Sequence, residues 1–196
     1  MNANITLTTH TTVGSALQEI TSELARSSDT LTLAGRTLED LAAVVSGAER
    51  VFVLGSGRSG LALKMTAMRL MHLGLTTHVV GEITTPAIRA GDVLLVASGS
   101  GTTAGILQAA EKARSVGATV AALTATPESP LAQLAQVTVE VPAAAKLDRS
   151  GSISAQYAGS LFEQGLVVLG DALFHALWQR SGLTGDDLWP RHANLE

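Results

Sequence analysis

The chain has 196 residues, 46% of them hydrophobic but only 3% aromatic, and a formal net charge of −4. That length suits a single domain with an aliphatic core, and the acidic balance excludes the basic footprint of a nucleic-acid binder. The lack of cysteine excludes disulfides, thiolate nucleophiles and Cys-based metal sites.

In chain order, residues 1–14 lack the basic-then-apolar order of a secretory signal. Leu17, Ile20, Leu24 and Leu31 recur at helical spacing, as do Leu38, Leu41 and Val45, so residues 13–46 are predicted to be helical. Residues 51–54 form an apolar run entering Gly55, the pattern of a buried strand meeting a turn. A helix is predicted over 61–73 and strands over 77–80 and 92–97. A helix over 103–115, a strand over 118–123, a short helix over 129–134 and a strand over 137–141 come next. Residues 142–154 read as a polar loop with Lys146, Asp148 and Arg149, and 155–180 as a long helix. Strands alternating with helices indicate a five-stranded parallel sheet covered on both faces, an α/β fold. No uncharged stretch has the composition of a membrane span, so a cytoplasmic protein is expected.

Ligands in such sheets bind beyond the carboxyl ends of the strands. Two loops there are rich in donors. Gly55-Ser56-Gly57-Arg58-Ser59-Gly60 comes after the first strand and opens a helix. Its glycines allow close backbone approach to an anion, the helix start offers free N–H groups, and Ser56, Arg58 and Ser59 add donors. It also fits the G-x-G-x-x-G dinucleotide pattern, with Glu82 beyond the second strand where a ribose-binding acid would stand. The second loop, Ser98-Gly99-Ser100-Gly101-Thr102-Thr103, carries four hydroxyl side chains. A dinucleotide fold has no need of them; a phosphate monoester does, because its oxygens take several short donors at one helix start. Serine and glycine also make ordinary turns and caps, but two such loops at strand ends favour phosphate.

No P-loop, H-E-x-x-H or nucleophile-elbow pattern occurs, and the five histidines are scattered, so no metal site is expected. Glu163 lies in an apolar stretch near the start of the last helix. Burial favours a carboxylate that acts as a base near neutrality, and the helix start pulls the other way; the alternative is that Glu163 simply faces solvent on a partly exposed helix. Asp171 reads as a surface or subunit contact, His72 as a packing residue, and His192 as part of a terminal tail.

Together these residues resemble the SIS (sugar isomerase) domain family: Ser98–Thr103 matches its phosphate loop, and Gly55–Gly60 its first-strand turn. Further segments, Ala67–Gly74, Gly81–Ala87, Gly159–Gln164 and Arg191–Glu196, resemble the branch that acts on hexulose phosphates. The likeness spans nearly the whole chain. It departs at Thr102, where many SIS loops carry Glu, and at Ile83, where relatives carry Thr. The resemblance implies a flavodoxin-like three-layer α-β-α sandwich as one domain over 1–196. A helical extension at about 13–46 and a tail at about 183–196 would flank it. It implies isomerisation of a 3-hexulose 6-phosphate to fructose 6-phosphate in formaldehyde fixation, with no cofactor, by a homo-oligomer, expected to be a tetramer. Glu163 and His192 would be catalytic; Ser56, Arg58, Ser59, Ser98, Ser100 and Thr103 would bind substrate phosphate. Three other readings stand beside it. They are an isomerase of arabinose 5-phosphate or sedoheptulose 7-phosphate, a non-catalytic sugar-phosphate sensor, and a dinucleotide-dependent oxidoreductase.

Overall fold

The computed structural model describes residues 11–144 and 150–195. Lys146, Asp148 and Arg149 of the expected polar loop lie outside the described residues. Helices α1 (Val13–Leu33) and α2 (Gly35–Ser46) lead into β1 (Val51–Gly55) and α3 (Gly57–Leu73). Then come β2 (Thr77–Val79), β3 (Val93–Ala97), α4 (Ala104–Ser115), β4 (Thr119–Thr124), α5 (Pro130–Leu134) and β5 (Val137–Glu140). The chain closes with α6 (Ser160–Ser181), the short α7 (Gly185–Leu188) and a 3₁₀ turn, Trp189–Arg191.

The five strands pair in parallel in the order β2-β1-β3-β4-β5. Alternation along each strand sends successive side chains to opposite faces. Val51, Val53, Val93, Leu95, Ala121 and Leu123 join one core, with residues of α1, α2, α3 and α6. Phe52, Leu94, Val96, Val120 and Ala122 join a second core under α4 and α5. The central strand β3 is buried throughout, as a parallel strand covered on both faces should be. The expected three-layer α/β arrangement is the one observed.

The differences from expectation are local. The helical stretch 13–46 is broken at Ala34, whose N–H bonds back to Leu31 in a tightened last turn before α2 turns away. Thr12 and Ser15 cap the start of α1 reciprocally. The helix expected from 155 begins only at Ser160, because 154–156 bond to Glu23 on α1 and Ala158 takes a left-handed φ of 52°. The tail is partly folded: Thr184 and Asp187 form a capping box that starts α7. The apolar residues of α6 are largely spent inside the chain, with Leu166, Leu173 and Leu177 in the first core.

Candidate active site

The order of strand addition reverses between β1 and β3, and a crevice opens beyond their carboxyl ends where the loops to α3 and α4 leave for opposite faces of the sheet. Both donor-rich loops lie there. They line one cleft of about 460 Å³ together with residues from the start of α6. Ser56, Arg58, Ser59, Ser98, Ser100, Thr103 and Glu163 all contribute to its wall.

Three helices begin at this cleft: α3 behind Ser56, α4 behind Thr103 and α6 behind Gly159. None of the three has a side-chain cap. Elsewhere Thr12, Ser129 and Thr184 cap α1, α5 and α7. Uncapped starts present unpaired N–H donors and the positive ends of helix dipoles, the requirements of an anion site. The second loop is prearranged around Ser98, which is buried. Its Oγ accepts from the Gly101 N–H at 3.2 Å and lies 3.2 Å from the Thr103 Oγ1. Ser100 lies 3.0 Å from the Thr102 hydroxyl and accepts from the Thr102 N–H at 3.3 Å. From behind, the Thr124 and Thr126 hydroxyls and the Ala125 N–H donate to the Gly99 carbonyl. That fixes the loop and leaves its outer hydroxyls at the cleft.

Glu163 sits in the first turn of α6, its side chain 21% exposed, and forms an ion pair with Arg58 of the first loop. The pair joins the two halves of the cleft wall. A carboxylate beside three helix starts can exchange a proton with a ligand whose anionic end the loops hold. The surface position left open for Glu163 by its sequence is therefore not the one it occupies.

His192 is elsewhere. Its ring stacks on His72 at the far end of α3, with centroids 4.0 Å apart, and packs on Trp189 at 4.6 Å. The 17 residues of α3 separate that end from the cleft, a span of about 25 Å. His72 is a packing residue, as expected, and burial, then His192 and Arg69, hold it below its ordinary value. Asp171 is exposed. Glu82 pairs with Lys64 on the surface. Sequence reasoning missed Tyr157, Gly159 and Ser160 at the cleft, because it took them as helix interior; Gly159, a poor helix former directly ahead of Ser160, was the available signal. Among the described residues no group of three or more His, Asp or Glu is placed to hold a metal ion, and no helix is long and apolar enough to cross a membrane.

The SIS domain family model matches residues 45–162. A Mycobacterium gastri protein named 3-hexulose-6-phosphate isomerase is 60% identical over 147 residues, covering 75% of this chain and 74% of its own. A Bacillus subtilis protein of the same name is 42% identical over 159 residues, covering 81% and 86%. A solved Methanococcus jannaschii structure, from which that same isomerase function was inferred, has a TM-score of 0.80 at 27% identity and covers 92% of this chain and 99% of its own.

Proposed function

The chain belongs to the SIS domain family, and on that ground we propose that it is a 3-hexulose-6-phosphate isomerase. It interconverts D-arabino-hex-3-ulose 6-phosphate and D-fructose 6-phosphate. The observation that carries this reading is a single cleft lined by three uncapped helix starts, suited to a phosphate, and by a carboxylate suited to moving a proton. The relatives of that name supply the choice of sugar.

Ser56, Arg58, Ser59, Ser98, Ser100 and Thr103 hold the phosphate, so binding energy remote from the reaction positions the sugar. Glu163 takes the proton from C2. The electron pair forms the C2–C3 double bond of an enediolate, and the former C3 carbonyl oxygen gains a proton. Glu163 then returns its proton to C3, while the C2 hydroxyl loses its own and becomes the carbonyl. His192 carries the proton between the two oxygens. It does so from a neighbouring copy, since within one chain it lies at the far end of α3. The chemistry calls for no metal or organic cofactor.

The same reading makes the chain one domain over 1–196, with the helices of 13–46 and the segment 183–196 as extensions. It works as a cytoplasmic homotetramer in the ribulose monophosphate pathway. Assembly is supported by the exposed apolar stripe Leu61, Met65 and Met68 along α3.

The test mixes purified chain with D-arabino-hex-3-ulose 6-phosphate in EDTA and monitors fructose 6-phosphate. Conversion is expected. Glu163→Gln should lower kcat by roughly a hundredfold or more while the sugar phosphate still binds; near-normal turnover would remove Glu163 as the base. Folded wild-type chain that binds the sugar phosphate without converting it would favour an arabinose 5-phosphate or sedoheptulose 7-phosphate isomerase, or a sensor.

A further inference from the structure

The buried side of α1 is not that of a core helix. Its buried residues are Glu23, Ser27 and Leu31, with Glu23 only 5% exposed. A buried carboxylate is costly unless its lone pairs are filled. Here they are. Glu23 Oε2 accepts from the Ser154 hydroxyl at 2.7 Å and from Gln156 Nε2 at 2.9 Å, and Oε1 accepts from the Ala155 N–H at 2.7 Å. Burial pushes the carboxyl up, but those hydrogen bonds, with the charge of Arg26, outweigh it and hold the group below its ordinary value. One turn further along α1, Ser27 donates to the Pro142 carbonyl at 2.9 Å. α1 therefore grips the chain just after β5 and again just before α6.

Beyond residue 156 the chain enters the cleft wall, which Tyr157, Ala158, Gly159 and Ser160 all line. Ala158 is the one described non-glycine residue with a positive φ, a conformation that persists only where its surroundings enforce it. On one side, the Ser160 N–H and hydroxyl both donate to the Tyr157 carbonyl, and the Glu163 N–H bonds the Gly159 carbonyl. On the other side stands Glu23. It also fixes Gln156: with one Nε2 hydrogen on the carboxylate, the other reaches Gln164 Oε1 at 3.1 Å, and Gln156 Oε1 accepts from Gln164 Nε2 at 2.8 Å. A carboxylate accepts only, so it dictates which way round both amides lie. Gln164 is the neighbour of Glu163.

We propose that Glu23 is a positioning residue of the active cleft: from α1 it clamps the strap 154–160 and, through Gln156 and Gln164, sets the start of α6 and the place of the Glu163 carboxylate. The proposal rests on the isomerase reading for the role of Glu163. A neutral amide is a poor substitute: Glu23→Gln turns an NH₂ group either toward the Ala155 N–H, which it leaves unpaired, or toward Ser154 and Gln156, which requires the Gln156 and Gln164 amides both to reverse.

The experiment compares full-length wild type, Glu23→Gln and Ser154→Ala in steady-state turnover of D-arabino-hex-3-ulose 6-phosphate, alongside amide hydrogen exchange across the chain. Glu23→Gln is expected to lower kcat roughly tenfold to a hundredfold, as misplacement of a reacting group does. KM should stay within about threefold, because the phosphate loops after β1 and β3 are untouched. Exchange should rise within 154–164 and stay unchanged in the strands. Ser154→Ala, which leaves the carboxylate and two donors, should shift kcat the same way by a smaller factor, and it decides the matter if Glu23→Gln does not fold. Wild-type kcat in both variants, or faster exchange across the whole sheet with kcat and KM degraded together, would overturn the clamp. A wild-type chain that fails to isomerise the sugar defeats the isomerase reading instead. The exchange pattern then decides the clamp alone: local loosening of 154–164 upholds it, and unchanged protection there ends it.

Discussion

Arg58 is the residue that two anions want. Without ligand it pairs with Glu163; a phosphate reaching the uncapped helix starts competes for the same guanidinium. On the isomerase reading proposed above, the arrival of the sugar phosphate would exchange this ion pair for one with the phosphate and free the carboxylate. Arg58→Ala should therefore raise KM by roughly tenfold or more, the value of a charge-assisted hydrogen bond to phosphate, with a smaller loss in kcat than Glu163→Gln; steady-state kinetics on both variants separates the two. The second loop has its own single-residue requirement. Gly101 has a φ of +62°, and a Cβ there would stand 2.0 Å from Ser129 Oγ. Gly101→Ala should cost about 1–3 kcal/mol of stability through overpacking and strain, read from denaturant unfolding, and should weaken phosphate binding as the loop shifts.

Between elements, α3 and α6 pack in close approach. A Cβ on Gly170 would meet Thr66 Oγ1 at 2.1 Å, which explains how the two helices come so close. Gly170→Ala is expected to cost about 1–3 kcal/mol, and adding Thr66→Ala, which removes the clashing hydroxyl, should recover most of it; a double-mutant cycle by chemical denaturation measures the coupling. The elements legible in the sequence are those whose signal is local. The strands are short apolar runs bounded by glycine or polar turns, and both donor-rich loops show serine and glycine where a strand ends. The break at Ala34 was marked in the sequence only by Gly35, a poor helix former directly after it, a signal that the apolar periodicity of 13–46 passes over. Residues 155–159 read as helix because what straightens them is Glu23, more than a hundred residues upstream. Thr184 and Asp187 do carry the spacing of a capping box, a local signal that the expectation of a plain tail passes over. At the cleft, the hydroxyls of the two loops were legible from their turns. That His192 would lie away from them was not, since its position depends on stacking with His72.

Across the whole molecule, the two ends of α3 do different things: one opens the cleft and the other carries the buried His72 under His192 and Trp189. His72 is held below its ordinary value of 6.5 by burial first and then by His192 and Arg69. The neutral ring is therefore the native form. Above that value both folded and unfolded chains are neutral there, and the packing contributes in full. As pH falls below it, the unfolded chain takes up a proton that the folded chain resists, and stability is lost until the lower folded value is passed. Melting temperatures from about pH 7.5 to about pH 5.5 should fall in the wild type and fall less steeply in His72→Phe. Asp92 behaves in the same sense at lower pH. Burial raises its carboxyl, and the Arg50 guanidinium, with the Arg89 N–H, more than offsets that, so the stability it adds is lost as pH falls through its depressed value.

The grip of α1 on the strap also sets an order in time. Its bonds join residues 131 to 133 positions apart, whereas each β-strand neighbour in the sheet lies much nearer in the chain. Contacts of such long sequence separation are the slowest to close. A refolding chain should thus regain its circular dichroism before it regains turnover. A chain emerging from the ribosome should hold a nearly complete sheet and no working cleft until α6 has been made and α1 has gripped the strap ahead of it.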